Sequence, residues 1–295
     1  MRNDGFEIVV DRVLPAGAPK AAVIIAHGMA EHAARYGRFA GELAARSYAV
    51  YAPDHRGHGR TAGDRGLGWS GRDGWNGMLR DLEALSALVA ERHAGAPLVL
   101  FGHSMGSVLA QRFAQLHGER LAGLILSGTL GAAPNLAAGI AAASVLRALR
   151  GERGPSPLQR RMFAGFNQRF EPQRTGFEWL SRDDAAVQKY ADDPWCGFTF
   201  SNGLLVEMLR GYAQTWKPAN ERLIPVTLPV LLFSGALDPV GANTRSVTAL
   251  AERYRALGLR DVQVTFYAGA RHEMLNETNR DEVVRDVLAW LDAHV

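Results

Sequence analysis

Short runs of apolar residues recur along the chain and alternate with stretches that have helical spacing. The runs span residues 21–26, 48–52, 98–101, 123–127, 229–234 and 262–267. Strands that are apolar throughout are typical of a parallel sheet, because helices cover both of its faces. The alternation therefore predicts an α/β fold, with a mostly parallel central sheet and helices on both faces.

This alternation stops after Thr129 and resumes near Pro229. Between residues 131 and 222 the sequence is irregular, rich in Arg and interrupted by prolines, and it contains no convincing strand. An insertion between two sheet strands indicates a helical cap over the strand ends. We therefore expect a core formed by residues 1–130 and 223–295, and a cap formed by residues 131–222.

Charge and cysteine content exclude several classes of protein. The net charge is +3, and the Arg residues are spread along the chain, whereas a nucleic-acid-binding protein would concentrate them. Cys196 is the single cysteine, which is taken to exclude both an internal disulfide and a thiolate metal site. The first residues lack the apolar segment of a signal peptide, and the longest apolar stretch, 136–146, is too short to cross a bilayer. We expect a cytoplasmic protein with no metal or other cofactor and no nucleic-acid partner; its oligomeric state is left open.

Residues 102–106 match the pattern G-x-S-x-G between an apolar run and a helix-like stretch. Gly102 and Gly106 permit a close approach of strand and helix, and they leave Ser104 at the tip of a sharp turn. The N–H of Met105, at the start of the helix, can donate to an oxyanion. A Gly-rich turn can also be purely structural, so the motif needs support from the rest of the chain.

An acid and a histidine follow Ser104 in the order that this turn requires. Asp238 comes just after the run 229–234, and His272 comes just after the run 262–267. The carboxyl ends of parallel strands meet at one edge of the sheet, so these side chains are expected to lie together. The order predicts a catalytic triad in which His272 activates Ser104 and Asp238 orients His272.

Three other loops offer weaker candidates. The N–H of Met29 follows a strand and could be a second oxyanion donor, although the same loop could be an ordinary turn. His103, beside the nucleophile, either lines the pocket or is a half-buried polar residue at a helix start. The segment 54–59 contains Asp54, His55 and His58, but it lacks a complete ligand set, and a hydrogen-bonded structural loop is the favoured interpretation.

The cap contains one strongly apolar stretch, residues 136–149, followed by Arg150 and Arg153. Ile140 and Leu146 lie on its apolar face, and we expect them to wall the acyl site. The face could also rest at a membrane surface, with arginines directed towards lipid phosphates. Packing over the pocket is an equally good interpretation, because an amphipathic helix usually contributes to a core.

Together these segments resemble the monoglyceride lipase and lysophospholipase-like branch of the α/β-hydrolases, a group of serine aminopeptidase S33-type hydrolases. The resemblance extends over nearly the whole chain except residues 131–222. It rests on the segments 27–36, 54–59 and 102–106 and on the loops of Asp238 and His272.

The resemblance implies the triad, oxyanion donors at Met29 and Met105, and a mobile lid. It also places Glu31 and Arg35 near the polar head of the substrate. Ala30 stands where those lipases often have Gly.

The sequence thus predicts a serine hydrolase that cleaves carboxylic esters of fatty acids, monoacylglycerols or lysophospholipids, through an acyl-enzyme on Ser104. The expected partner is this lipid or ester substrate, with transient contact between the cap and a membrane surface, so that the protein could be peripheral to the membrane. A peptidase or an acyltransferase would use the same triad, and both remain alternatives. A non-enzymatic binding module on the same scaffold is a further alternative, against which an intact triad counts.

Overall fold

The computed structural model describes residues 1–295 of the chain. Its strands are β1 (Arg2–Asn3), β2 (Phe6–Glu7), β3 (Val10–Val13), β4 (Ala21–Ala26), β5 (Tyr48–Pro53), β6 (Leu98–His103), β7 (Gly123–Ser127), β8 (Val230–Gly235) and β9 (Val262–Tyr267). Its helices are α1 (Gly37–Ala45), α2 (Gly59–Ala62), α3 (Gly74–Arg92), α4 (Met105–His117), α5 (Leu136–Arg150), α6 (Pro157–Phe163), α7 (Asp184–Asp192), α8 (Asn202–Thr215), α9 (Pro218–Glu221), α10 (Arg245–Ala256) and α11 (Arg280–His294). Short 3₁₀ turns cover Ala33–Tyr36, Gly63–Arg65, Gly118–Arg120 and Met274–Asn276.

Seven strands form the central sheet in the order β3-β5-β4-β6-β7-β8-β9, and β1 pairs with β2 separately. Only β3 runs antiparallel to its neighbour in the large sheet. The strand β6, which precedes Ser104, lies at the centre, where both of its sides are hydrogen-bonded. The predicted fold class, a mostly parallel sheet of the α/β-hydrolase kind, is confirmed.

Each face of the sheet is covered by a separate apolar core. One core contains apolar residues of α3, α4, α8 and α10, and the other contains apolar residues of α1 and α11. The central strands β4, β6, β7 and β8 are buried along their whole length, which is why their sequences lack a polar alternation. The amphipathic spacing in 75–89 likewise matches a helix, α3, whose Met78, Leu82 and Leu85 are buried.

Asn279 and Glu282 contact each other at the start of the last helix, α11. Asn279 precedes α11, but its side chain accepts no hydrogen bond from the backbone of the first turn. Its amide nitrogen instead donates to the carboxylate of Glu282 at 2.9 Å. Asn279 and Glu282 therefore have the spacing of a capping box without its hydrogen bonds to the backbone.

Helices α5 to α9 lie between β7 and β8, in the segment predicted to form a cap. Helix α5 packs on α8, and α8 in turn packs on α3 and α4 of the core. Leu204, Leu205 and Met208 of α8 belong to the large apolar core, so this helix joins both parts of the molecule. The boundaries of the core and cap units stay a prediction. No helix combines the length and hydrophobicity that are needed to traverse a bilayer.

Candidate active site

Ser104 occupies a strained turn between β6 and α4. Its φ and ψ angles are 51° and −119°, a region that residues other than Gly rarely adopt. A Cβ atom on Gly106 would lie 2.1 Å from the carbonyl oxygen of Ala26, and one on Gly102 would lie 2.5 Å from that of Gly106. Both positions therefore require glycine, and the close approach that they permit is what the motif predicts.

Asp238 and His272 meet at the end of the neighbouring strands. His272 Nδ1 lies 2.9 Å from Asp238 Oδ2, and both side chains are buried. Burial alone would lower the pKa of His272, but the Asp238 carboxylate outweighs this effect and holds that pKa above its ordinary value. Burial would raise the pKa of Asp238, yet His272, the N–H of Val240 and the hydroxyl of Ser234 together lower it. The carboxylate is thus prepared to orient the imidazole and to stabilise its protonated form.

Ser104 and His272 line one cavity of about 120 Å³ beneath the cap. Its other wall is built by cap residues that sequence reasoning did not select. These are Gln159, Phe163, Phe177, Trp179, Leu180 and Tyr190. The Trp179 ring lies 5.1 Å from the His272 ring, centre to centre, and Phe163 stacks on Trp179 at 5.9 Å. The cavity is therefore aromatic on the side that faces the predicted nucleophile.

Two backbone N–H groups are placed to serve as oxyanion donors. Met105 is the first residue of α4, so its N–H belongs to the helix end, where backbone donors lack a partner within the helix. The N–H of Met29 has no hydrogen-bond acceptor in the protein, and Met29 lines the cavity that holds Ser104. The structure therefore brings the predicted donors to the site; their catalytic role stays a prediction.

A buried ion-pair network fixes the loop that carries Met29. Glu31 Oε1 accepts hydrogen bonds from the N–H of Gly28 at 2.5 Å and from the hydroxyl of Tyr36 at 2.8 Å. Glu31 Oε2 binds Arg35, and Arg35 also makes two hydrogen bonds of 2.6 Å to Glu273, the residue after His272. Burial opposes ionisation of Glu31, but Arg35 outweighs it and keeps the pKa of this carboxyl lowered. The network thus ties the loop of Met29 to the loop of His272.

These contacts bear on the predicted substrate contacts of Glu31 and Arg35. Glu31 lines the cavity, but each of its oxygens already has a protein partner. Arg35 does not line the cavity around Ser104, and it is linked to the cavity only through the carboxylates of Glu31 and Glu273. Their geometry is that of residues that position the loop, and direct contact with substrate stays a prediction.

Ala30, which stands where similar lipases often have Gly, adopts a backbone conformation that favours glycine. Ala30 has a φ of 53°, in the left-handed region that glycine adopts without strain. Its carbonyl oxygen accepts hydrogen bonds from the N–H of Gly197 at 2.9 Å and from the hydroxyl of Tyr190 at 3.0 Å. Tyr190 lies in α7 and Gly197 in the segment between α7 and α8, so these two parts of the chain hold the strained residue in place.

His103 lines the cavity and is buried. Its ring lies 4.7 Å from that of His272, and its Nδ1 lies 3.3 Å from the hydroxyl of Ser127. Burial, together with the nearby His272, lowers the pKa of His103 to about 4. His103 is therefore a neutral ring that packs against one side of His272. Two interpretations of His103 were open, and the one in which it lines the pocket agrees with the structure.

A chain of buried hydrogen bonds supports the turn of Ser104 from behind. The indole N–H of Trp216 donates to Gln111 Oε1 at 3.1 Å, and Gln111 Nε2 donates to Thr129 Oγ1 at 3.0 Å. The hydroxyls of Thr129 and Ser107 lie 2.7 Å apart, and Ser107 donates to the carbonyl oxygen of Ser104 at 2.6 Å. Because Ser107 has one hydroxyl hydrogen, Thr129 is the donor between these two. Sequence reasoning missed this chain.

The prediction that Ile140 and Leu146 wall the acyl site disagrees with the structure. Neither residue lines the cavity around Ser104. Ile140 packs against the large apolar core, and helix α5 packs on α8. Part of the apolar pattern of α5 therefore serves packing within the protein, while Val145 and Leu149 stay exposed. The residues that line the cavity with Ser104 come from α6, α7 and the segments that flank them.

Of the polar groups outside the triad, the loop 54–59 has the structural role that was predicted. Asp54 Oδ1 accepts from the N–H of Ala33 at 2.8 Å, and Asp54 Oδ2 accepts from the N–H and the Nε of Arg60. A different group brings three metal-binding side chains within 4.8 Å of one another. It consists of His32, Asp193 and Cys196.

Comparisons with known proteins agree with this geometry. A family model described as "Serine aminopeptidase, S33" matches residues 17–279. A monoacylglycerol lipase from Mycolicibacterium smegmatis is 29% identical over 99% of this chain and 95% of its own. A carboxyl esterase from Bacillus coagulans, solved in complex with glycerol, superposes with a TM-score of 0.91 at 28% identity, over 98% of this chain and 94% of the other. A lipase solved in an open form superposes with a TM-score of 0.86 at 31% identity, over 97% and 94% of the two chains.

Proposed function

The chain belongs to the serine aminopeptidase S33 family and is a carboxylic ester hydrolase with the α/β-hydrolase fold; from this premise we propose that it hydrolyses monoacylglycerols through an acyl-enzyme on Ser104. The observation that carries the proposal is the convergence of three features on one cavity. Ser104 stands on a strained turn, His272 faces the same cavity, and Asp238 holds the far nitrogen of His272.

In the proposed mechanism, Ser104 Oγ attacks the ester carbonyl while His272 takes its proton. The N–H groups of Met29 and Met105 stabilise the oxyanion as the carbonyl bond opens. Protonated His272 gives its proton to the departing glycerol oxygen, and Asp238 stabilises the imidazolium meanwhile. A water molecule, deprotonated by His272, then attacks the acyl-enzyme. The fatty acid leaves, and His272 returns the proton to the oxygen of Ser104.

The lining of the cavity favours a neutral head group over a phosphate. No Lys or Arg lines the cavity around Ser104, and the guanidinium of Arg35, which binds the lining residues Glu31 and Glu273, is already paired with them. A phosphodiester in this space would lose its hydration without gaining a cation, which is costly. Glycerol carries no charge, so monoacylglycerol fits this environment better than lysophospholipid does. Relatives named as monoacylglycerol lipases support the same choice.

Cleavage of N-terminal amino acids, as the description of the family would suggest, fits less well. An aminopeptidase needs a free carboxylate to bind the substrate's ammonium group. Glu31 and Glu273 are the carboxylates that line the cavity, and both are engaged by Arg35. Breaking a buried ion pair of this kind costs about 3–5 kcal/mol.

Helix α5 supports the further proposal of peripheral contact with a membrane. Val145 and Leu149 are 57% and 79% exposed, and the last turn carries Arg147 and Arg150. Apolar side chains beside arginines suit the boundary between acyl chains and phosphates of an anionic lipid surface. A double variant, Val145→Ser/Leu149→Ser, should sediment less with phosphatidylglycerol vesicles and keep its activity on a soluble ester. Leu223→Ser, which changes an equally exposed residue outside α5, is the matched control; equal sedimentation of all three proteins would contradict the contact.

A hydrolysis screen tests the main proposal. Monoacylglycerols, lysophosphatidylcholine of the same chain length, 4-nitrophenyl esters and aminoacyl anilides are compared by kcat/KM. We expect monoacylglycerol to exceed both lysophosphatidylcholine and the anilides by at least about tenfold, because a desolvated, unpaired charge costs more than 1.4 kcal/mol. Equal or faster turnover of lysophosphatidylcholine would contradict the argument from the lining, and turnover of anilides alone would favour a peptidase.

A further inference from the structure

His32, Asp193 and Cys196 lie together although more than 150 residues separate the first from the others. One ligand atom from each residue can be chosen so that all three lie within 4.8 Å of one another. His32 Nε2 is 2.8 Å from Asp193 Oδ2, and the His32 side chain is almost fully buried. The other ring nitrogen, Nδ1, is shielded from solvent and has no hydrogen-bond partner. The hydrogen bond to Asp193 therefore does not satisfy this imidazole.

The surroundings of the cluster carry an excess of negative charge. Asp193 contributes one carboxylate. The neighbouring network contains two more, Glu31 and Glu273, against the single guanidinium of Arg35. Glu31 directly precedes His32 in the chain, so this network belongs to the same environment. A buried region with more carboxylates than cations favours the entry of a cation.

The types of donor indicate which cation would bind. Imidazole nitrogen, carboxylate oxygen and thiolate sulfur are the ligands of Zn²⁺, which binds them at about 2.0–2.3 Å. A thiolate is too soft a ligand for Mg²⁺ or Ca²⁺, which prefer sites formed by oxygen alone. We propose that His32, Asp193 and Cys196 form a binding site for one zinc-class divalent cation, with water as a further ligand. The single cysteine, which seemed to exclude a thiolate site, supplies one sulfur ligand to a mixed set.

Occupation of this site would join two segments that border the cavity. His32 directly follows the loop of Met29 and Glu31, whereas Asp193 and Cys196 belong to the segment between α7 and α8. These segments already meet through the hydrogen bond from Gly197 to Ala30. A cation would add coordinate bonds across the same contact, and the Cys196 thiol would release its proton to solvent on binding. The bound form is therefore expected to be more stable, and the cap segment in it less able to move away from Ser104.

Direct binding of Zn²⁺ to the full-length protein is the primary test, because it does not depend on the proposed substrate. Calorimetry with the EDTA-treated, dialysed protein should give one bound Zn²⁺ per chain. Cys196→Ala and Asp193→Asn should each weaken binding by at least about tenfold, since even residues behind the ligands change metal affinity by about 10–100-fold. Melting in the absence of metal establishes that each variant is folded.

A second His–Asp pair in the chain provides a matched control. His294 Nε2 lies 2.8 Å from Asp261 Oδ2, the same distance as in the His32–Asp193 pair, but without a cysteine beside it. His294→Gln should bind Zn²⁺ as the wild type does. Absence of binding to the wild type at millimolar Zn²⁺, or equal affinities of the wild type and Cys196→Ala, would overturn the proposal.

Two further readouts identify the ligands and the consequence. Co²⁺ should produce a sulfur-to-cobalt charge-transfer absorption in the wild type, and Cys196→Ser should abolish it. Zn²⁺ at 100 times its Kd should stabilise the wild type by about 2.7 kcal/mol, seen as a rise in Tm that Cys196→Ala lacks. A rise in Tm that is equal in both proteins, or a Co²⁺ spectrum without the sulfur band, would contradict coordination by Cys196.

Discussion

The imidazole ring of His103 lies 4.7 Å from that of His272, yet the two rings have opposite electrostatic environments. His272 is hydrogen-bonded to the buried carboxylate of Asp238, whereas His103 faces the hydroxyl of Ser127. The pKa of His272 is consequently raised, and that of His103 is lowered to about 4. Of two neighbouring histidines, only one can accept a proton at neutral pH.

This difference predicts the pH dependence of ester hydrolysis. His272 must be neutral to take the proton of Ser104, so kcat/KM should fall as the pH drops through the pKa of His272. Because that pKa is raised, the fall of kcat/KM on the acid side of the pH profile (the acid limb) should have its midpoint above pH 6.5, the ordinary pKa of histidine. His103→Gln should leave the limb at the same pH, since His103 is neutral there. An acid limb below pH 6.5 would contradict the assigned base.

Replacement of the nucleophile tests the role of Ser104. Ser104→Ala should lower kcat by about six orders of magnitude, with only the residual effect of the oxyanion donors left. The variant should melt like the wild type, because the turn is held by Gly102 and Gly106 rather than by the hydroxyl. A fluorophosphonate should label the wild type and not the variant, which also separates an enzyme from a binding module. Labelling of the variant to the same extent would move the nucleophile elsewhere.

Two aspartates provide a matched pair for the acid of the triad. Asp238→Asn keeps the shape of the side chain but allows His272 to adopt the wrong tautomer, and it should lower kcat by about four orders of magnitude. Asp184→Asn removes a carboxylate that pairs with Arg174 at the surface, where both side chains are more than half exposed. This control should be nearly neutral. A similar loss in both variants would place the acid outside the predicted triad.

The hydrogen-bond chain behind Ser104 predicts a positioning role for Thr129. Thr129→Val removes the link between Gln111 and Ser107 and leaves buried polar groups unsatisfied, at a cost of about 1–3 kcal/mol in the free energy of unfolding. A displacement of the Ser104 turn should lower kcat by about tenfold to a hundredfold and leave KM unchanged. Thr129→Ser restores the hydroxyl and should restore kcat. If Thr129→Val is destabilised but its kcat is unchanged, this chain of hydrogen bonds has only a structural role.

Three buried histidines predict loss of stability in acid. The rings of His27, His55 and His58 pack against one another, at 4.2 Å for the first two, and burial lowers the pKa of each, to about 4 for His58. The unfolded chain binds these protons more readily, so their stabilising effect is present above about pH 6.5 and is lost as the pH falls towards 4. His58→Gln should reduce this loss by an amount on the order of 3 kcal/mol. Urea unfolding of both proteins at pH 8 and pH 4.5 measures the difference, and equal losses would contradict it.

The strands and the triad could be predicted because each depends on local signals. A strand buried on both faces, such as β8 before Asp238, has to be apolar along its length. The strand β9 before His272 lies at the edge of the sheet and is buried only at its two ends, Val262 and Tyr267. The chain order of the triad then follows from the topology of the sheet. These features need no knowledge of which distant residues meet.

The wall of the cavity could not be predicted, because it depends on contacts between distant parts of the chain. Trp179 and Phe177 lie outside regular helices, so no periodic pattern marks the face that they present to His272. Ile140 follows a clear helical pattern, but the pattern does not reveal that its partner is α8 rather than substrate. The meeting of His32 with Cys196 likewise depends on how a loop of the cap folds back onto the sheet, which no local spacing encodes.

The backbone of Ala30 links two properties of the site: the stabilisation of the oxyanion and the choice of acyl chain. Its N-terminal neighbour Met29 carries a predicted oxyanion donor, and its own carbonyl oxygen accepts hydrogen bonds from Tyr190 and Gly197, which line the cavity around Ser104. A graft of a relative's segment onto this core would therefore alter the rate constant for even the smallest ester, and not only the choice of acyl chain. In this chain, the selectivity for the acyl chain and the catalytic rate constant are therefore expected to change together, and redesign of one requires redesign of the other.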